Sequence, residues 1–202
     1  MVVESPASDK LRNVGSKAGK QNVKLYYKKD MKAKKLIRNL LIIMILISNI
    51  SCDQISKNIV RQKIEYNTQI NIISKYLILT KVENTGAFLG LGESIPRPIY
   101  ILLMIVLPLI VIGYALYYLM KRNNVSKLLI IGISFAVGGG LGNILDRILY
   151  GSVTDFLYFD FVLFHTGIVN IADISVTIGF FMIMIEFYIN RRELISPAAN
   201  NG

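Results

Sequence analysis

Four apolar stretches, each long enough to cross a bilayer, constrain this chain more than any other feature. They run from Leu36 to about Ser56, Ile99–Met120, Leu128 to about Ile148, and Ile171–Asn190. A helix needs roughly 20 residues to cover a hydrocarbon core. The second stretch, IYILLMIVLPLIVIGYALYYLM, is uninterrupted apart from Pro108, which predicts a kink that a membrane helix tolerates. The first and third carry Asn49, Asp53, Asn143, Asp146 and Arg147. The expectation is an all-α integral membrane protein with four transmembrane helices. A small outer, periplasmic-side β-sheet and an interfacial link complete it.

Charge placement supplies the orientation. Lys and Arg number 23 against 13 Asp and Glu, net +10. Eleven of those cations lie in residues 1–38, beside Glu4, Asp9 and Asp30, so +8 of the charge sits there. The remainder is nearly neutral, which argues against a nucleic-acid partner. Basic residues flank the first span at KAKKLIR, fill the 121–127 link KRNNVSK, and follow the fourth span at Arg191 and Arg192. By the positive-inside rule these segments and both termini are cytoplasmic. The link from Ile148 to Asn170 has no Lys or Arg, as an outer segment should. The Lys57–Arg97 link has six, which weakens the contrast without reversing it.

Three segments follow: a flexible basic extension at 1–30, a four-span domain at 31–192 and a disordered tail at 193–202. The extension reads as an accessory that associates with lipid surfaces, because MKAKKLIRN at Met31 is itself a normal membrane-protein start. TQINIISKYLILTKVEN predicts two short strands and a turn at Asn84-Thr85-Gly86. SVTDFLYFDFVLF is too polar at Asp155 and Asp160 to span, and is expected to lie at the interface as strand or irregular chain.

Carboxylates beside hydrocarbon are costly and mark function by default. Asp53, Asp146 and Asp173 fall at the outer ends of spans one, three and four, with Asp155 in the outer link between the last two. Glu186, near the inner end of span four, is expected to reach water or Arg191 and Arg192. Asp53 and Lys57 are spaced i,i+4 and share a helix face. That pair either anchors the helix end, or leaves the lysine to contact a lipid headgroup or fix the site. Asn143, Asp146 and Arg147 share one face, with Asp146 read as a fixed, ionised partner. Gly138 and Gly142 form a small-xxx-small surface for helix packing. Asn170 reads as the N-cap of the fourth span.

Capping does not explain Asp155. If Asp155 and Asp173 meet, the two carboxylates hold one proton between them and titrate as a unit. One then activates a water while the other polarises a carbonyl, as in aspartic proteases. Nucleophilic chemistry is poorly supported: His165, the only histidine, lacks a Ser or Cys partner, and Cys52 has no nearby histidine. One cysteine and one histidine leave little for a metal.

Five motifs in order resemble the lipoprotein signal peptidase (signal peptidase II) family: Asp53-Gln54-Ile55-Ser56-Lys57, Asn84-Thr85-Gly86-Ala87-Phe88, the run Gly138–Arg147, Val153-Thr154-Asp155-Phe156, and Asn170-Ile171-Ala172-Asp173. The resemblance covers about residues 32–192. It implies a multi-pass aspartyl endopeptidase of the bacterial cytoplasmic membrane. Such an enzyme removes the signal peptide of a diacylglyceryl-modified prolipoprotein just before the lipidated cysteine. It implies Asp155 and Asp173 as the catalytic pair, no metal or organic cofactor, and membrane lipid as the surroundings. A monomer is expected. Asp53, Lys57, Asn84, Gly86, Asn143, Asp146, Arg147, Asn170 and Ala172 become site-shaping or substrate-contacting positions. Single Ala87, where the family often has two alanines, and Val169, where it often has phenylalanine, bear on substrate preference.

Two rivals are testable. A transporter or channel would place acids at mid-membrane depth along a path. Alternatively, residues 32–52 would be a lipoprotein signal peptide ending at Cys52, although Asn49 fits that poorly and three more spans follow.

Overall fold

The computed structural model describes residues 17–86, 95–122, 124–161 and 164–195. Ala87, residues 1–16 of the extension and 196–202 of the tail lie outside them. The chain divides into two compact units, 1–41 and 42–202. The described part of the first is helix, with an Asp30–Lys34 ion pair of 2.7 Å one turn apart.

In chain order the elements are α1 (Lys17–Lys63), β1 (Ile70–Ile73), β2 (Leu77–Asn84), α2 (Arg97–Lys121), α3 (Lys127–Leu149), β3 (Val153–Phe161), β4 (Phe164–Val169) and α4 (Ile171–Ile195). All four helices are long and apolar enough to cross a membrane. α1 begins at Lys17, inside the stretch expected to be an aperiodic tail, and α4 continues to Ile195, past the expected tail boundary.

Pro108 shapes α2. Proline has no N–H to give the carbonyl four residues back, and its ring crowds that carbonyl. The helix accommodates it with a π-helical turn at Leu102–Val106, just upstream of the proline. Ile112 and Leu119 are the buried residues of α2, and the rest of its apolar surface is left to face lipid tails. α3 starts under a serine cap, with Ser126 Oγ accepting from the Leu129 N–H at 3.1 Å. Its glycine run permits close helix approach. A Cβ at Gly138 would lie 2.8 Å from Asn49 Cβ on α1, and one at Gly139 would overlap the Ala172 carbonyl on α4. Two small apolar clusters fill the interior of the second unit: Ile42, Leu119 and Ile130, and Ile112, Val137 and Ile144.

The expected strands pair in one antiparallel sheet, ordered β1-β2-β3-β4. The link after α3 is therefore two strands of the sheet that β1 and β2 begin. β2 carries an extra residue between Leu79 and Val82, after which Val82 pairs with Asp155, Glu83 with Thr154 and Asn84 with Val153. All of β1 is exposed although three of its residues are isoleucine.

Candidate active site

The last turns of α1 and α3, the end of β2, the start of β3 and the first turn of α4 converge on one polar cluster. Asn170 caps α4: its Oδ1 accepts the Asp173 N–H at 2.9 Å, while Asp173 Oδ2 accepts the Asn170 N–H at 3.1 Å. This reciprocal pair is a capping box built from Asn and Asp. The N-cap expectation for Asn170 therefore holds, and the same side chain does more. Its Nδ2 donates to Asp155 Oδ1 at 2.6 Å. One asparagine thus touches both Asp155 and the backbone of Asp173.

Each carboxylate is held by a second amide. Asn84 Nδ2 donates to Asp155 Oδ2 at 3.0 Å, and Asn84 Oδ1 is occupied by the Gly86 N–H at 3.0 Å. That Asx turn is the expected 84–86 turn, and it fixes which end of the amide meets Asp155. Asn143 Nδ2 donates to Asp173 Oδ1 at 2.8 Å. Asp155 is 4% exposed, and burial pushes its carboxyl up to about 6. The Asn84 and Asn170 donors oppose that rise, and the nearby Asp173 charge adds to it.

Behind this pair lies a fully buried ion cluster. Lys57 Nζ sits 2.8 Å from Asp53 Oδ2, 3.0 Å from Asp146 Oδ2 and 2.8 Å from Asn143 Oδ1. Lys57, Asp53 and Asp146 are each 0% exposed. The lipid-headgroup reading of Lys57 is thereby excluded. Because Lys57 occupies Asn143 Oδ1, the amide of Asn143 must turn its NH2 toward Asp173. Asp53 Oδ1 accepts the Ala172 N–H at 2.9 Å, so an acid from α1 satisfies a first-turn donor of α4. Gln54 Nε2 lies 3.1 Å from Asp53 Oδ2 and 3.0 Å from Asp146 Oδ1.

Asp146 is fixed and ionic, as expected, but not by its sequence neighbour. Its cations are Lys57 and, at 2.9 Å, Arg61. Arg147 points elsewhere, donating to Gly86 O at 2.9 Å and Asn143 O at 3.3 Å. Successive helix residues diverge by about 100°, so adjacency disfavours pairing. Glu186 departs from the expectation that it reaches water. It is 8% exposed and accepts from Asn190 Nδ2 at 3.0 Å, one helical turn away.

Asp155, Asp173, Asn84, Asn143 and Arg147 share the wall of a cavity of about 410 Å³. Its apolar side includes Leu103 and Met104, from the π-helical turn, together with Val169 and Val176. Val169, where the family often has phenylalanine, is thus a wall residue. The acids do not form a path through the helices: Asp173 lies in the first turn of α4 and Asp146 in the last of α3. That clustering runs against a transport relay. Cys52 lies inside α1, directly before the buried Asp53, so its segment is part of the fold.

Several residues not expected to shape the site also belong to the cluster. Arg61 continues the Asp53–Lys57 face by one more turn, a periodicity visible in the sequence. Gln54 lies inside the first of the five motifs. Thr154 lies inside the fourth motif and meets Glu83 through strand pairing, while Ser152 joins from the bend just before β3, and nothing local signals Glu83 or Ser152.

Helices of membrane-spanning length and a cavity walled by two carboxylates are consistent with one class, an integral-membrane aspartic peptidase. Comparison narrows it. Residues 41–189 match the family described as Signal peptidase (SPase) II. The chain is 34% identical over 139 residues to the lipoprotein signal peptidase of Maridesulfovibrio salexigens, covering 69% of this chain and 89% of that one. It is 34% identical over 152 residues to that of Streptococcus agalactiae, covering 75% and 94%. A solved bacterial membrane enzyme superposes with a TM-score of 0.68 at 26% identity, covering 80% of this chain and 93% of that one. The chain belongs to the signal peptidase II family.

Proposed function

We propose that this protein removes signal peptides from prolipoproteins with Asp155 and Asp173 as its catalytic pair, cutting just before a diacylglyceryl-modified cysteine. The observation that carries the assignment is Asn170, whose one side chain bonds Asp155 and caps the turn bearing Asp173. Both carboxylates line the same cavity, whose wall combines polar and apolar residues. The acyl chains stay in hydrocarbon while the scissile peptide crosses the polar wall. The enzyme acts as a monomer.

Asp155, the acid whose pKa burial raises, takes the part of general acid in the pair, and Asp173 takes that of base. Water attacks the scissile carbonyl carbon and gives a proton to Asp173, while Asp155 protonates the carbonyl oxygen. The resulting gem-diol collapses: Asp155 takes back its proton, the C–N bond breaks, and Asp173 protonates the departing nitrogen. The pair returns to its singly protonated state with no covalent intermediate.

Both termini lie in the cytoplasm on this reading, supported by the cations beside the first span, in the 121–127 link and after the fourth. Residues 1–30 are accessory to the peptidase domain.

The test is a gel-shift cleavage assay with purified enzyme and a diacylglyceryl prolipoprotein. Asp155→Asn and Asp173→Asn each abolish cleavage and stay folded, whereas Asp146→Asn mainly lowers stability. Loss of turnover in well-folded Asp146→Asn, together with an active Asp155→Asn, would refute the assignment.

A further inference from the structure

The extra residue in β2 breaks the register between β2 and β3 just before the segment that carries Asp155. Beyond such a bulge, the pairing upstream no longer dictates which residues face each other. Something local must hold Val82–Asn84 against Val153–Asp155. Successive strand residues point to opposite faces, so Thr154 looks away from the cavity that Asp155 faces.

The far face carries a relay. Arg61 Nε donates to Thr154 Oγ1 at 2.8 Å, and that hydroxyl, its lone pair occupied, donates to Glu83 Oε1 at 2.9 Å. Ser152 Oγ donates to the other carboxylate oxygen, Glu83 Oε2, at 2.6 Å. Two β3-side hydroxyls two residues apart thus grip one β2 carboxylate. Thr154 is 0% exposed, so its hydroxyl has no water to turn to. Arg61 is held in turn, by Asp146 at 2.9 Å and by the Tyr150 ring 3.9 Å from its guanidinium carbon. The Arg61 carbonyl also accepts from Lys81 Nζ at 3.0 Å, from within the bulge of β2. The sheet is therefore fastened to α1 and α3 on both strands that flank the register break.

We infer that Arg61, Thr154 and Glu83 are positioning residues that set the strand register beyond the bulge and so hold Asp155 opposite Asp173. The inference rests on the catalytic reading of Asp155. Slippage of even part of a residue would pull Asp155 off the Asn84 and Asn170 amides, and a displacement near 1 Å in a catalytic group costs about a hundredfold.

The experiment compares Thr154→Val, which keeps the shape and loses the hydroxyl, with Thr154→Ser, which keeps the hydroxyl. Asp155→Asn is run in parallel on the same lipidated substrate. Expected for Thr154→Val is a fall in kcat of between about tenfold and a hundredfold with KM within about twofold. Thr154→Ser stays within about twofold of the parent on both. The alkaline limb of the kcat profile also moves up in Thr154→Val. The groups facing Asp155 are Asn84 from β2, Asn170 before α4, Asp173 from α4, Lys57 from α1 and Arg147 from α3. The short-range amide donors weaken first on displacement, and those donors favour the ionised form.

Parental kcat in Thr154→Val overturns the inference. So does equal damage from Val and Ser, or a lower kcat with an unmoved limb, which reports only lost folded enzyme. Should Thr154→Val not fold, Arg61→Lys is read by the same criteria; it keeps the charge toward Asp146 and lacks the Nε donor. An active Asp155→Asn sinks the catalytic reading itself, whereas an inactive one beside a normal Thr154→Val sinks only the register clamp.

Discussion

Replacing Lys57 with methionine removes the cation at the centre of the buried cluster while keeping an unbranched side chain. In the parent, Asp53 and Asp146 are balanced by Lys57 and Arg61, and the two acids and the lysine are wholly buried. The variant leaves that cluster with one uncompensated negative charge. Breaking a buried ion pair by deleting one partner costs about 3–5 kcal/mol. At about 2–4 °C per kcal/mol for a domain of this size, the melting temperature falls by roughly 6–20 °C. A functional loss comes with it. Asn143 Oδ1 loses its donor, so the amide is free to flip and present oxygen to Asp173. Loss of that oriented hydrogen bond, worth about 1.4 kcal/mol or more, lowers kcat at least about tenfold. Circular dichroism at 222 nm in detergent reads the melting, since the chain has no tryptophan. Adding Asp53→Asn restores neutrality and keeps an acceptor for the Ala172 N–H, so the double variant regains a large part of the lost stability. A Lys57→Met protein that melts within about 2 °C of the parent and cleaves normally would refute this account of the cluster.

Four further outcomes can be measured. Asn84→Ala removes a donor that favours ionised Asp155, so the carboxyl climbs further above about 6 and keeps its proton to higher pH. The alkaline limb of kcat/KM then moves up by about one unit, read from rates across buffers at constant ionic strength. Gly142→Ala puts a Cβ 2.7 Å from Asp53 Oδ2 and is expected to cost about 1–3 kcal/mol in thermal unfolding. Gly113→Ala, with nothing within 4 Å, is neutral or slightly stabilising in the same measurement. Deleting residues 1–30 leaves cleavage of the lipidated substrate intact in the gel-shift assay, and lost turnover would make the extension part of the enzyme.

Much of this architecture is legible one segment at a time. The spans are runs of contiguous apolar residues, the β1–β2 strands alternate, and the cap at Asn170 is a local side chain-to-backbone interaction. Asp53, Lys57 and Arg61 fall on one helical face by period alone. Each of these signals is contained within a few turns of chain, where residue type and backbone geometry dictate the outcome. The family motifs extended that reach, bringing together acids as far apart as Asp53 and Asp173.

Partner choice across elements was settled by packing instead. Arg147 stands next to Asp146 in the chain yet reaches Gly86, while Asp146 takes Lys57 and Arg61 from another helix. Nothing in residues 170–173 tells that Asp53 supplies an acceptor for Ala172, nor in Glu83 that its carboxylate grips Ser152 and Thr154. The π-turn before Pro108 lines the cavity because of how α2 packs, whereas proline alone implies only a kink. Hydrogen bonds between distant groups depend on distances of tenths of an ångström. Those distances exist only once helices and sheet have closed on one another, so composition and spacing carry no trace of them.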